Sequence, residues 1–93
     1  DIPNKLASPS ALDAVAVVTT VGAAKYTPGG WQHVSNGVAR YRDAAFRHAL
    51  TAATGETCDP AFPGMRVLHQ AQVIWNLLAA LELELRAAEK GRS

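Results

Sequence analysis

His69, Gln72 and Asn76 stand three and four residues apart inside LHQAQVIWNLL, residues 68–78, one of the most apolar stretches of the chain. On an α-helix that spacing stacks the three side chains on a single stripe. All three are uncharged groups that both donate and accept hydrogen bonds, where an amphipathic surface helix would carry Lys or Glu. Buried and unpaired, each would cost on the order of 1–3 kcal/mol, so each must meet protein, water or a ligand. The stripe is either a satisfied network between helices or one wall of a pocket. Met65, Ala79, Ala80 and Leu83 continue the same face, and the small alanines leave space beside the polar groups.

Other groups with chemical potential lie outside that stripe. GETCD, residues 55–59, places Glu56 and Asp59 three apart. Carboxylates so spaced can share a divalent cation, since Mg2+ takes one or two of them and completes its shell with water and phosphate oxygens; the plainer reading is a solvated acidic loop. KYTPGGWQHVS, residues 25–35, gathers Lys25, Tyr26, Trp31 and His33 around Gly29 and Gly30. Lys25 could meet a phosphate while Tyr26 or Trp31 stacks on a base. Equally, the aromatics could pin the loop onto the helices, with His33 facing solvent. In VARYRDAAFRHALTAATGE, Asp43 and Arg47 share one helical face, and Tyr41 and His48 another. Taken alone, that is a surface ion pair with a half-buried Tyr and His. Ala44, Ala45, Ala49, Ala52 and Ala53 permit close packing. No Ser-His-Asp order, CxxC, HExxH, P-loop or GxGxxG occurs, which removes support from triads, zinc sites and Rossmann binding.

These residues need helices to position them. Ser8-Pro9 is a helix-start signal, and a first helix is expected over 10–24, although Val17 to Val21 also favour strand. Ser35 or Asn36 should cap a second helix over 36–54, stopped by Gly55. GETCDPAFPG, residues 55–64, is too rich in Pro and Gly for regular structure, and a third helix is expected over 65–90. Three helices without a convincing strand make an all-α fold, a small three-helix bundle occupying residues 1–93 as one domain. The third helix is apolar nearly all round apart from its polar stripe, which two short neighbours cannot cover. Completion by a homo-oligomer, dimer or tetramer, through Ile74, Trp75, Leu78 and Leu81 is the expectation.

Composition narrows the function classes. With 93 residues, 48% hydrophobic and a formal net charge of +1, the chain is globular and lacks the basic excess of a duplex nucleic-acid binder. The single Cys58 has no internal partner, no secretory leader opens the chain, and no run of apolar residues is long enough to span a membrane. A cytoplasmic protein is expected, with an upstream piece trimmed because the chain opens on Asp1 rather than Met.

Five segments in order carry a family resemblance: VGAAKY (21–26), Trp31 after it, RYRDAAFRH (40–48), GETCD (55–59), and His69 followed by Asn76. They resemble the phage and prophage dATP/dGTP diphosphohydrolase N-terminal domain family, whose members read GA and KY, then Trp, Y-x-D-A-x-x-R-H, G-E-x-x-D and H-x-x-H-x-x-x-N. The resemblance spans Leu6 to about Glu84. It implies an all-α, Mg2+-dependent (or Mn2+-dependent) nucleotide protein, related in kind to the MazG-type pyrophosphohydrolases. It also implies pocket roles for Lys25, Tyr26, Trp31, Arg47, His48, Glu56, Asp59, His69 and Asn76. Gln72 stands where members usually carry the second His, and DPAFPG replaces their D-x-E-S-G. The EExxE half of the MazG metal motif is absent; Glu56 and Asp59 imitate its ExxD half, with Asp43 as a third candidate ligand.

The first functional expectation is a pyrophosphohydrolase of purine (deoxy)nucleoside triphosphates in the host cytoplasm. Glu56 and Asp59 would be catalytic and, with Asp43, would hold the metal. Lys25, Arg47 and His48 would meet the phosphates, Tyr26 or Trp31 would stack on the base, and His69, Gln72 and Asn76 would orient it. The second is a non-catalytic phage protein that sequesters a nucleotide immune signal. The third is a helical interaction or assembly protein without a ligand.

Overall fold

Ser10 opens the first helix: its carbonyl accepts the Ala14 N–H and its Oγ accepts the Asp13 N–H at 3.1 Å, an N-cap that satisfies one of the helix's orphan donors. The computed structural model describes residues 10–25, 27 and 29–91, with the backbone alone at residues 24 and 25. The Ser8-Pro9 signal and Tyr26 therefore lie outside the described residues, as does the side chain of Lys25. Helix α1 spans Ala11–Lys25, so the ambiguous Val17–Val21 run is helical. The hydroxyls of Thr19 and Thr20 donate back to the Val15 and Ala16 carbonyls, which lets these β-branched residues sit in a helix without unpaired groups.

Helix α2 spans Gly37–Ala53 and α3 spans His69–Gly91, with a 3-10 turn at Gly30–His33. Asn36 takes the left-handed conformation at the N-cap of α2, one that Asn tolerates better than most residues, and Gly55 (φ 100°) closes the other end. Among the described residues there is no strand, only one antiparallel bridge between Cys58 and Leu68. The architecture is all-helical, as the sequence predicts.

Helices α2 and α3 pack antiparallel. A Cβ on Gly37 would fall 2.8 Å from Leu83 Cδ1 at one end, and His48 meets His69 at the other. Tyr41, Ala79 and Ala80 form the core between them, joined by Trp31, Val34 and Val38. A second core unites Val18 and Val21 of α1 with Val67 and Ala71. Trp75 packs against both cores, with edge-on contacts to Tyr41 (5.6 Å) and Trp31 (6.3 Å).

The start of α3 departs from the expectation. Met65 to Leu68 carry helix-like apolar spacing, yet the helix begins at His69. The Asp59 N–H donates to the Val67 carbonyl at 2.8 Å, and the His69 N–H donates to the Thr57 carbonyl at 3.0 Å. Extended pairing with the 55–64 loop thus takes the backbone groups that a longer helix would have used. Val67 is completely buried at this junction.

Candidate functional site

The Cys58–Leu68 bridge determines where the acidic loop lies. By tying residues 57–59 to residues 67–69, it sets Glu56 and Asp59 beside the first turns of α3. The polar stripe on that helix is buried: His69, Gln72 and Asn76 are 4%, 8% and 8% exposed. Each has a partner. His69 Nε2 lies 2.7 Å from Glu56 Oε2, and His69 Nδ1 lies 2.9 Å from His48 Nδ1. Gln72 Nε2 donates to Asp59 Oδ2 at 2.8 Å, and Asn76 Nδ2 donates to the Gln72 carbonyl at 2.7 Å. No buried side-chain nitrogen or oxygen is left unpaired among the described residues.

An ionised carboxylate only accepts, so the hydrogen bond to Glu56 places a proton on His69 Nε2. One proton is shared between the two facing Nδ1 atoms, 2.9 Å apart. Burial, then the neighbouring His69 and more weakly Arg47, hold the His48 imidazole below its usual pKa against an opposing pull from Asp59. Burial alone would raise the Asp59 carboxyl. The Gln72 amide, the Ala61 N–H and the two imidazoles outweigh it and hold the group below the ordinary carboxylate value.

A cavity of about 380 Å³ opens beside this network. Its polar lining comprises Arg47, His48, Asp59, Gln72 and Asn76, and its apolar wall includes Tyr41, Phe62 and Trp75. A neighbouring hollow of about 400 Å³ shares Tyr41, Ala44, Arg47 and Asn76 with it and adds Ser35 and Arg40. Donors, acceptors, one cation and one carboxylate therefore converge on a partly aromatic recess, the usual composition of a small-molecule site.

Several sequence candidates meet here, and others stand apart. Arg47, His48, Asp59, Gln72 and Asn76 line the cavity, while His69 and Glu56 sit behind it as a hydrogen-bonded pair. Asp43 pairs with Arg47 at 3.1 Å on the exposed side of α2. Trp31 packs into the α2–α3 core, stacks edge-on to Trp75, receives Arg86 over its ring at 5.4 Å, and accepts the Tyr41 hydroxyl on its carbonyl at 2.7 Å. It is absent from the lining of this cavity, and pinning the loop is the role its contacts describe. His33 is exposed. The sequence did not bring His48 to His69, nor Phe62 and Trp75 to the cavity wall. The alanines at 44 and 45, which let α2 approach α3 closely, were the available signal.

His48, Asp59 and His69 together form a group able to hold a metal ion, with one ligand atom from each lying within 4.8 Å of the others. Of the expected ligands Asp43, Glu56 and Asp59, only Asp59 belongs to it. Two imidazoles and one carboxylate do not fit Mg2+, which selects oxygen ligands.

A family model described as dATP/dGTP diphosphohydrolase, N-terminal, matches residues 2–92. Comparison with curated proteins and with solved structures gives no significant match. Because the family match takes in nearly the whole sequence, the chain belongs to the dATP/dGTP diphosphohydrolase N-terminal domain family.

Proposed function

We propose that this domain binds a purine deoxynucleoside triphosphate in the recess between α2, α3 and the 55–64 loop, and that it cleaves the α–β phosphate bond. The observation that carries the reading is the convergence of Arg47, His48, Asp59, Gln72 and Asn76 on one cavity with an aromatic wall, in a chain of the dATP/dGTP diphosphohydrolase N-terminal domain family. In the proposed complex the Arg47 guanidinium meets phosphate oxygens, a task suited to its planar fork. Tyr41, Phe62 or Trp75 flanks the base, and the Gln72 and Asn76 amides, each both donor and acceptor, face base edges or the deoxyribose hydroxyl. Water adds to the α-phosphorus, the bond to the bridging oxygen breaks, and the products are a nucleoside monophosphate and pyrophosphate. The Asp59 carboxylate, held ionised by its hydrogen bonds, orients that water. Glu56 acts through His69 as a positioning residue. Nucleotide substrates of this kind accord with a cytoplasmic protein.

A second reading, sequestration of a nucleotide without hydrolysis, is favoured by one observation. Glu56 and Asp43 are already engaged with His69 and Arg47, so one carboxylate is left at the cavity. A thermal-shift panel of purine, pyrimidine and cyclic nucleotides, with and without divalent ions, tests the binding that both readings require. A ligand selective for the native state raises the melting temperature, by an amount equivalent to about 2.7 kcal/mol at a hundredfold excess over Kd. Stabilisation by dATP or dGTP over dCTP and dTTP is expected. No shift from any nucleotide would remove the proposal.

A further inference from the structure

We infer that His48 Nδ1, His69 Nδ1 and the Asp59 carboxylate form a binding site for a divalent transition metal of octahedral preference, of the Mn2+ or Fe2+ class, and not for Mg2+. The inference goes beyond the nucleotide reading and stands whether or not hydrolysis occurs.

The 2.9 Å between the two Nδ1 atoms is a hydrogen-bond distance, and it is also the bite of two ligands on one ion. Nitrogens about 2.1 Å from a metal stand about 3.0 Å apart at a right angle and about 3.4 Å apart at the tetrahedral angle. The pair is therefore spaced for adjacent octahedral positions with little movement of either helix. His69 has the outer-sphere arrangement that metal-bound histidines show: its far nitrogen lies 2.7 Å from the Glu56 carboxylate, which fixes the ring and turns Nδ1 toward His48. That bond makes Glu56 a support of the site and not a ligand. An ion would replace the single proton between the two rings, with His48 carrying its own proton on Nε2.

Asp59 supplies the third donor, with a carboxylate oxygen within 4.8 Å of one ring nitrogen of each histidine. Gln72 and the Ala61 N–H already orient this carboxylate, and a modest inward shift of the loop would complete the coordination. Two imidazoles with one carboxylate leave up to three octahedral positions for water or phosphate oxygens, and His48 and Asp59 both border the cavity. Imidazole nitrogen is the feature that separates the ions, because Mg2+ and Ca2+ take oxygen shells while first-row transition metals accept nitrogen readily.

The test uses the full chain, stripped with chelator, without nucleotide. Calorimetric titration with Mn2+, Co2+ and Mg2+ is read together with metal content after gel filtration and with the visible spectrum of the Co2+ form. One Mn2+ or Co2+ per chain, undisturbed by a tenfold excess of Mg2+, with the weak absorption of six-coordinate Co2+, is the expected result. The half-buried His48 allows a mild variant, and His48→Gln should lose the ion while circular dichroism remains helical. Glu56→Gln should keep the ion about 10- to 100-fold more weakly, as for other outer-sphere partners. Equal affinity for Mg2+ and Mn2+, retention of the ion by folded His48→Gln, or a folded wild-type chain that keeps no metal would each overturn the inference. Failure of nucleotide hydrolysis would leave it standing.

Discussion

Replacing Asp59 by Ala removes the acceptor that holds Gln72, and the cost can be worked from the geometry. The Gln72 amide is 2.8 Å from Asp59 Oδ2 on a side chain that is nearly buried. Losing the acceptor strands that donor, at about 1–3 kcal/mol. The exposed Ala61 N–H finds water instead and adds little. Relief of a partly buried charge works in the opposite direction, so a net loss of about 2 kcal/mol is expected. For a domain of this size that lowers the melting temperature by roughly 8–16 °C, at about 4–8 °C per kcal/mol. Asp59→Asn keeps an acceptor for Gln72 and should lose about 1 kcal/mol or less. Urea unfolding followed by tryptophan emission reads both variants, since Trp31 and Trp75 pack into the cores. The pH dependence has a definite sign. The folded Asp59 pKa lies below its unfolded value of about 3.9, so its contribution is present above that value and is lost as pH falls through the lower, folded one. In chelator, the advantage of wild type over Asp59→Asn should shrink below about pH 4. Two variants within about 0.5 kcal/mol of wild type, the range of ordinary surface changes, would refute the view that this carboxylate anchors α3 to the loop.

Asn76→Ala should weaken nucleotide binding roughly tenfold with or without divalent ion, while Glu56→Gln should slow pyrophosphate release more than it weakens binding; calorimetry and a pyrophosphate-release assay separate the two. Trp31→Ala should destabilise the fold by about 2–4 kcal/mol, because a packed aromatic is removed, yet leave nucleotide affinity unchanged below the melting temperature. A loss of affinity without a loss of stability would return Trp31 to the pocket. Ile74, Leu78, Leu81 and Leu85 are exposed at heptad spacing along α3, beside Leu77. A symmetric dimer or tetramer through this seam is proposed. Light scattering should show it at micromolar concentration, and a monomer there would contradict it.

The three helices were legible because their signals are local: Asn36 and Gly55 bracket α2, and the alanine-rich run of α1 outweighs its β-branched residues. The polar stripe of α3 was legible as buried for the same reason. Its partners were not. Whether His69 meets His48 depends on the antiparallel register of α2 on α3, which no local pattern records. Residues 65–68 read as helix because nothing in their spacing shows that the loop carbonyl of Thr57 would take the His69 N–H. Asp43 read as a third ligand only through the family resemblance, and its carboxylate pairs with Arg47 on the exposed side of α2. Trp31 was balanced between loop anchor and base platform, and only its contacts with Trp75, Tyr41 and Arg86 favour the anchor.

The most direct test of the nucleotide reading is product analysis after the purified full chain is incubated with dATP or dGTP and Mn2+, separated by ion exchange and checked by phosphorus NMR. The expected result is stoichiometric nucleoside monophosphate and pyrophosphate, diminished in Asp59→Asn and Glu56→Gln. Recovery of the nucleotide intact from a protein that binds it tightly would contradict hydrolysis and leave sequestration as the function of the cavity.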